Sequence, residues 1–532
     1  MNIKTLPNFT NIILSIFPII LMWIFYHQAQ QAWWLGDDPV ILQSVIEHGI
    51  LPHFYNSDVW RSLNASNLMP WLTLSLGIDW YLFGLEPKGF YVHHLISFSI
   101  VLLIAYIFLR LFFSALVCSI VLSIFVLSVP SANIAQFLMV RHYLEGLGLS
   151  LLAILCYLKA SEKFMWALLG SMFYLLATTA KEIYVPLIII LPFLTIPRWK
   201  MLSPFIVVAG SYVWWRIYML KPNLVFSSYG GTTPELSWDI SHRFLEVLGW
   251  QQTWQLIVLV LAGLALLGMI IKNYQQLTKI LVWLAVIILP ILPVLAILDT
   301  RYLFLPYFLF CVGIAFTLQF FLDKRLYFSI MFLVLGLVAV GVKSLESAIL
   351  QQPKILAQSQ AEGKFILQAD STNVILLNPI SQEWHHSSLQ WLRKHILKLP
   401  QGAITCSDLC LCMPTNNVYQ YVQSKITPVD ILTDILNCGR TDVGLQVKIS
   451  FNDNALHWQL GPYKYGQYYA VVSAKQEMIA GQWTTIMPSG SYPYLLSDKL
   501  YIAIKYVSPD EWQTYSPIFT LESAKKSIQW QR

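Results

Sequence analysis

The sequence predicts a polytopic α-helical membrane protein followed by a separate C-terminal domain. Hydrophobic residues make up 56% of the 532 residues and charged residues only 12%, with a mean hydropathy of +0.58. Apolar runs near the roughly 20 residues that span a bilayer recur up to residue 344 and then stop. A chain of this composition is an integral membrane protein.

Eleven apolar stretches have, or nearly have, the length of a transmembrane helix. Two neighbouring segments, 164–179 and 183–196, are short, so a hairpin that does not fully cross the bilayer is the alternative for that pair. The predicted segments are 10–27, 91–109, 113–129, 143–158, 164–179, 183–196, 201–219, 253–271, 280–298, 302–322 and 326–344.

The short loops give an orientation, because Lys and Arg concentrate in cytoplasmic loops. With the N-terminus inside, every inner loop has a basic residue, and the net charge of +6 is largely this signal. No nucleic-acid partner is therefore expected. The first segment has no A-x-A cleavage site and is interpreted as a retained anchor. We expect a bacterial inner-membrane protein with a cytoplasmic N-terminus and a periplasmic C-terminal domain.

The C-terminal domain is predicted to have two parts. In the first, Asn373–Asn378 is a short apolar strand and Gln382–Lys398 has helical spacing. In the second, Leu445–Phe451 and Leu500–Val507 alternate as half-buried strands do, which indicates a β-sandwich. The predicted domains are a transmembrane domain, 1–344, with an acidic first outer loop, 28–90; a small α/β segment, 345–440; and a β-rich domain, 441–532.

Four cysteines lie in the predicted outer domain, namely Cys406, Cys410, Cys412 and Cys438. An even number on an oxidising face favours one or two disulfides, with the pairing left open among three arrangements. Zinc is the competing interpretation. The Cys-x3-Cys-x-Cys spacing departs from the usual Cys-x2-Cys pattern, which favours disulfides over metal.

Two adjacent carboxylates, Asp37 and Asp38, follow the first apolar stretch and are framed by tryptophans, Gly36 and Pro39. Neighbouring acids at a membrane surface suit proton abstraction or metal binding near a lipid-borne substrate. A divalent cation, Mg²⁺ or Mn²⁺, is compatible with the pair, but the sequence does not require one. The plainer alternative is that Asp37 caps a helix starting near Pro39.

Further charged residues from distant parts of the chain fall on the same predicted outer face. Charged groups at membrane depth are costly and therefore suggest function. Each also has a structural alternative: Lys181 and Glu182 can solvate a turn, Arg141 can pair with Glu145 one helical turn later, and Arg301 can pair with Asp299. With the polar residues beside them, they form a group that comprises Arg141, His142, Tyr143, Glu145, Lys181, Glu182, Asp299, Thr300, Arg301 and Tyr302.

Residues 1 to 344 resemble the GT-C polyprenyl-phosphate-dependent glycosyltransferases, especially the protein O-mannosyltransferase-like branch. The motifs are Gly36-Asp37-Asp38, Arg141-x-Tyr143, Thr-Ala-Lys181-Glu182 and Arg301-Tyr302-Leu-x-Leu-Pro306. Each is weak alone, and their order on one face is more specific. The resemblance implies a multi-span helical fold, a sugar donor carried on a polyprenyl phosphate, and transfer on the exoplasmic side.

Inverting transfer needs a carboxylate to take the proton of the acceptor hydroxyl and cations to stabilise the departing lipid phosphate. We assign Asp37 or Asp38 as the base, with the other orienting the acceptor or binding metal. Arg301 and Lys181 are the donor-phosphate ligands. Glu182, Arg141 and Tyr302 are supporting residues. The acceptor hydroxyl belongs to a glycan, a lipid or a protein, and membrane lipids surround the helices.

Two other classes of protein compete with this interpretation. A transporter or flippase of a lipid-linked sugar places its ionisable groups near the bilayer midplane, often in an internal repeat, and neither is evident in this sequence. A non-catalytic scaffold with a glycan- or protein-binding outer domain leaves the coincidence of acids and cations unexplained. The sequence therefore favours the transferase.

Overall fold

The structure is a computed structural model that describes most of the chain in two compact units. One unit is Met1–Ala32 with Ser44–Pro353, and the other is Trp33–Gln43 with Lys354–Arg532. The predicted span 280–298, nearly all of 253–271, and the cysteines Cys410, Cys412 and Cys438 lie outside the described residues. Those described are 9–64, 67–160, 163–194, 199–220, 245, 247–250, 252, 255, 258, 299–368, 374–377, 379–380, 383–400, 402–406, 417–429, 442–452, 455–473, 483–493, 499–522 and 527–532.

The N-terminal part of the chain is helical. Helix α2 begins in the second unit and ends in the first, and helix α14 runs from the first unit into the second. The helices are α1 (Phe9–Tyr26), α2 (Asp38–His48), α3 (Pro52–Tyr55), α4 (Ser57–Leu63), α5 (Pro70–Phe83), α6 (Pro87–Leu109), α7 (Ala115–Val126), α8 (Val129–Gln136), α9 (Arg141–Lys159), α10 (Phe164–Ala180), α11 (Leu187–Leu194), α12 (Trp199–Met219), α13 (Phe304–Asp323) and α14 (Tyr327–Gln368).

Several helices are long and apolar enough to cross a membrane, which confirms the prediction of a helical membrane protein. In the described part of the chain there are 5 such helices, or up to 6 if one bent pair forms a single span. They match the predicted segments 10–27, 91–109, 143–158, 302–322 and 326–344. The qualifying helical segments are Phe9–Gln31, Pro87–Leu109, Leu138–Lys159, Thr300–Asp323 and Tyr327–Glu346.

The predicted span 113–129 corresponds to helix α7, and the chain bends at the end of α7 into the short helix α8. Helices α7 and α8 meet at an angle of 66° and are not one straight helix. The break has a local cause, since the Ser128 hydroxyl accepts from the Ser131 N–H and caps α8, and Pro130 stands in its first turn. The predicted pair 164–179 and 183–196 appears as α10, of 17 residues, and α11, of 8.

Helix α9 lies against α6 and α10 in the core of the first unit. At Gly146 a Cβ atom would lie 2.3 Å from the Tyr184 ring, so only glycine permits this close approach. The Tyr184 hydroxyl donates to the Tyr143 carbonyl of α9. These two contacts fix the short 3-10 helix Glu182–Tyr184, and with it Lys181, against α9.

The second unit contains the predicted α/β segment. Strand β1 (Ile375–Leu377) pairs in parallel with β2 (Ile404–Cys406) and β3 (Val418–Val422), and β3 pairs antiparallel with β4 (Lys425–Pro428). Helix α15 (Glu383–His395) buries Leu389 and Leu392. The predicted strand and helix are both confirmed.

The β-rich part forms two sheets around one core, which confirms the predicted sandwich. Alternate residues of both sheets point into it, such as Val447, Ile449, Ile502 and Ile504. One sheet has the order β13-β5-β6-β9, and the other has the order β11-β10-β7-β8 with β12 beside β10. The strands are β5 (Gln446–Asn452), β6 (Ala455–Gly461), β7 (Gln467–Ser473), β8 (Thr484–Ile486), β9 (Ser489–Pro493), β10 (Lys499–Val507), β11 (Gln513–Tyr515), β12 (Phe519–Glu522) and β13 (Ser527–Gln531).

Cys406, at the end of β2, is disulfide-bonded. This confirms the prediction of a disulfide for that cysteine and removes it from any zinc site. Cys118, Cys156 and Cys311 of the helical unit are buried free thiols, as expected for small apolar residues in helices.

Candidate functional site

The acidic pair lies in a tight turn that leads into α2. Gly36 has φ +53°, a conformation that glycine adopts without strain. The Asp38 N–H donates to the Leu35 carbonyl at 3.1 Å, and the Ile41 N–H donates to the Asp37 carbonyl at 3.0 Å. This turn, which we call the acidic turn, comprises Trp33–Asp38 and belongs to the second unit.

The two carboxylates differ in their surroundings. Asp38 is 1% exposed, and its Oδ2 accepts the Leu35 N–H at 2.8 Å. Asp37 is exposed. Removing the Asp38 carboxylate would strand a buried N–H, whereas the Asp37 carboxylate faces solvent and can meet a hydroxyl. The geometry therefore gives Asp38 a structural contact and leaves Asp37 accessible.

Lys181 of the first unit is a buried cation directly after α10. Its side chain is 7% exposed, and its Nζ lies 3.5 Å from Glu182 Oε2 and 5.6 Å from the centre of the Tyr143 ring. Met69 Sδ is 3.9 Å from the same nitrogen. Burial lowers the pKa of Lys181, Glu182 opposes this shift, and the positive charge of Arg301 adds to it.

Glu182 holds the neighbouring cations. It accepts from the Arg216 guanidinium and from the Leu68 N–H, the latter at 2.8 Å. Burial alone would raise the pKa of Glu182, but Lys181 and Arg216 outweigh it and hold the pKa below its usual value. Glu182 is therefore an ionised anchor for both cations.

Arg301 lies in the short 3-10 helix Thr300–Leu303. Asp299 caps this helix by accepting the Arg301 N–H at 3.3 Å. Its Nε lies 3.4 Å from Asp299 Oδ2, so the pairing weighed as the alternative is present. The guanidinium lies 5.3 Å from the Tyr302 ring, which is 6.4 Å from the Tyr143 ring. The Tyr302 and Tyr143 rings therefore link Arg301 to Lys181.

His142, the second residue of α9, also lies near these cations. The sequence did not predict a role for it. It is 2% exposed, and neither ring nitrogen has a hydrogen-bond partner in the described part of the chain. The charges of Lys181 and Arg301 both act on its ring, and the Met139 carbonyl is near it without hydrogen-bond geometry. An unsatisfied buried imidazole beside two cations suits an anionic ligand.

These residues of the first unit form one group that we call the cation cluster. The cluster contains three cations, Lys181, Arg216 and Arg301, and two carboxylates, Glu182 and Asp299. Positive charge is therefore in excess. Such a group can bind a phosphate through charge-assisted hydrogen bonds. The cation cluster comprises His142, Tyr143, Lys181, Glu182, Arg216, Asp299, Arg301 and Tyr302.

Arg141 has a different role from the cations of the cluster. It is fully buried and forms its ion pair with Asp79 of α5, while its Nη2 donates to the Phe90 carbonyl at 3.0 Å. Glu145, the partner weighed from the sequence, instead accepts from Trp71 at 2.7 Å and from Ser75 at 2.9 Å. These contacts support a structural role for Arg141, whose ion-pair partner is Asp79 and not Glu145.

An apolar cavity lies beside the cation cluster in the first unit. Tyr184, which bonds to Tyr143, is part of its wall, and Leu147 continues the wall one turn further along α9. Its apolar lining suits a hydrocarbon chain. The lining residues are Phe108, Leu147, Ser150, Leu151, Ile154, Ile183, Tyr184, Leu187, Ile190, Leu194, Leu305, Phe308 and Leu309.

A metal site does not emerge from the described side chains, where no group of three or more His, Cys, Asp or Glu residues is placed to hold an ion. The divalent cation considered with Asp37 and Asp38 therefore stays a prediction.

No family model matches the chain, and no curated protein matches it. The chain is similar to two solved structures of ArnT from Cupriavidus metallidurans, one bound to undecaprenyl phosphate and one in the apo state. The TM-scores are 0.41 and 0.43, with 11% sequence identity, 75% of this chain covered and 86% of the other. At such TM-scores the likeness assigns neither fold nor activity, and the GT-C assignment stays a prediction from the sequence.

Proposed function

We propose that the protein is a membrane glycosyltransferase of the GT-C type, which transfers a sugar from a polyprenyl-phosphate donor to an acceptor hydroxyl. The observation that supports this best is the cation cluster, where two buried or half-buried cations and an unsatisfied imidazole lie beside an apolar cavity. A ligand with a phosphate head and a hydrocarbon tail matches both features.

Lys181 and Arg301 bind the donor phosphate in this proposal. As the bond between the anomeric carbon and the phosphate oxygen breaks, negative charge grows on the phosphate, and fixed cations stabilise it without reorganising. Arg301 offers a planar fork of donors and Lys181 a point charge. Glu182 and Tyr143 keep Lys181 in place through the contacts at 3.5 and 5.6 Å.

Asp37 is the general base in this proposal. Of the two acids it is the exposed one, while Asp38 is buried and accepts the Leu35 N–H. The Asp37 carboxylate takes the proton of the acceptor hydroxyl as the oxygen attacks the anomeric carbon, and the lipid phosphate leaves from the opposite side with inversion.

The sidedness is also proposed. Transfer takes place on the periplasmic face, which follows from the basic residues of the predicted inner loops. The acceptor is the hydroxyl of a glycan, a lipid or a protein, and a divalent cation at the acidic turn is an additional option for testing.

The experiment combines purified full-length protein with radiolabelled polyprenyl-phosphate sugars and candidate acceptors, with and without EDTA. We expect release of polyprenyl phosphate and a new inverted glycosidic bond, both lost in Asp37→Asn and Lys181→Met. The matched control is Lys343→Met, because Lys343 pairs with Glu346 at an exposed position. Sugar that crosses liposomes without any new covalent product would contradict the proposal and indicate a flippase.

A further inference from the structure

We propose that the C-terminal domain holds the acidic turn in its working conformation and that His385 is the positioning residue for Asp37. This inference rests on the proposed function, in which Asp37 is the base. It gives the domain a part in the chemical step in addition to any part in choosing the acceptor.

His385 of α15 reaches the residue that precedes Asp37. Its Nδ1 lies 2.9 Å from the Gly36 carbonyl oxygen, and since a carbonyl only accepts, Nδ1 carries the proton. The ring is 1% exposed, and burial lowers the pKa of His385 to about 4. At neutral pH the imidazole is therefore uncharged, and its single N–H is committed to Gly36.

The position of this hydrogen bond explains its effect on Asp37. The Gly36 carbonyl and the Asp37 N–H belong to one planar peptide group, which also contains the Cα atom of Asp37. Fixing the carbonyl oxygen therefore restricts the position of that Cα atom, from which the carboxylate extends. Gly36, at φ +53°, is otherwise the most adaptable residue of the turn.

Two other parts of the turn contact the C-terminal half of α14. The Ser359 hydroxyl donates to the Trp34 carbonyl at 3.3 Å. The Trp33 ring lies so close to Gly363 that a Cβ atom there would come within 2.1 Å of its Nε1. Residues 33, 34 and 36 are thus each held by a residue of the C-terminal domain, and these contacts all lie within the second unit.

Loss of the His385 contact should slow the chemical step without weakening donor binding. A displacement of about 1 Å in a catalytic group can cost roughly 100-fold in rate. The residues proposed to bind the donor phosphate, Lys181 and Arg301, belong to the first unit, whereas this hydrogen bond lies in the second. We therefore expect kcat to fall while KM for the donor stays unchanged.

The test compares three variants of the full-length protein. His385→Asn places an amide N–H about where Nδ1 lies, His385→Leu removes the donor, and His395→Leu is the control on an exposed residue of the same helix. Hydrogen exchange of the peptide that contains residues 33–41 measures the turn directly. Steady-state kinetics with a polyprenyl-phosphate sugar measure kcat and KM.

We expect His385→Leu to accelerate exchange in 33–41 and to lower kcat by about 10- to 100-fold at constant KM. His385→Asn should restore most of both, and His395→Leu should match the wild type. Wild-type exchange and kcat in His385→Leu would overturn the proposal, as would a rise in KM alone.

Two further outcomes are separated by design. If exchange also rises in β10 of His385→Leu, the variant has lost its fold, and the decision passes to His385→Asn and Ser359→Ala: slowed turnover in Ser359→Ala with intact β10 supports the proposal, and unchanged turnover opposes it. If the wild-type protein transfers no sugar, the proposed function fails, while the exchange data still decide whether His385 holds the turn.

Discussion

Asp79 and Arg141 form an ion pair in which both side chains are fully shielded from solvent. Asp79 also contacts His93 Nδ1, and Arg141 donates to Ser75 at 3.1 Å. These polar contacts join helices α5, α6 and α9 in addition to their apolar packing. A buried pair of this kind is weak evidence for net stability, but breaking it leaves one uncompensated charge.

We therefore expect Asp79→Asn to destabilise the helical unit by about 3–5 kcal/mol, because Arg141 would stay buried without its counter-charge. The double variant Asp79→Leu/Arg141→Met should recover part of this loss, since it removes both charges. Thermal unfolding in detergent, followed by tryptophan fluorescence, measures the change. Arg61→Gln is the control, because its partner Asp58 is 92% exposed and such pairs contribute less than about 1 kcal/mol.

Lys181 should make phosphate binding sensitive to alkaline pH. Its pKa is lowered by burial, so the amine loses its proton, and with it the charge that attracts phosphate, at a lower pH than an ordinary lysine. Affinity for polyprenyl phosphate should therefore fall as the pH is raised through that pKa. Lys181→Arg should remove this dependence, because an arginine stays charged.

The measurement for Lys181 is binding of polyprenyl phosphate at a series of pH values by isothermal titration. Lys343→Arg is the matched control at an exposed site. A wild-type affinity that stays constant as far as the ordinary lysine pKa would contradict the assignment of Lys181.

Mutation should distinguish the role of Asp37 from that of Asp38. Asp37→Asn should abolish sugar transfer while leaving the melting temperature unchanged, because the side chain is exposed. Asp38→Ala should lower stability by about 1–3 kcal/mol, because the buried Leu35 N–H loses its acceptor. Turnover and thermal unfolding of the two variants, measured side by side, decide this. A stable but inactive Asp38→Ala, together with an active Asp37→Asn, would reverse the roles.

His142 should contribute a hydrogen bond to the bound phosphate. His142→Phe keeps an aromatic ring of similar size without a donor, and we expect phosphate affinity to fall by about 10-fold, as for the loss of one charge-assisted hydrogen bond. His142→Gln keeps a donor and should lose less. Titration with polyprenyl phosphate gives both affinities, and equal affinities for wild type and His142→Phe would exclude this contact.

Much of the fold could be predicted from local patterns. Apolar length identified helices such as α1, α6 and α13, and alternation identified β5 and β10, because each pattern reports how one element meets its surroundings. Helix α8, which follows the predicted span 113–129, was missed, although Ser128 and Pro130 are an ordinary signal for a helix start.

The candidate site was predictable only in part. Lys181, Arg301 and Tyr302 are found together, whereas Asp79 and Arg216 were not assigned to their partners and His142 was given no role. Asp79 had a visible signal, since it is a lone acid in an apolar stretch. The hydrogen bond from His385 to Gly36 had no such signal, because a single sequence does not show which distant residues are in contact.

The bond between His385 and Gly36 spans 349 positions of the chain. A ribosome that adds about 5–20 residues per second completes the acidic turn early and needs roughly 20–70 s more before His385 is made. During that interval the first helices can already enter the membrane, but the turn that contains Asp37 lacks its hydrogen bond to His385. If His385 acts as proposed, the nascent chain can transfer sugar only slowly until His385 has been synthesised.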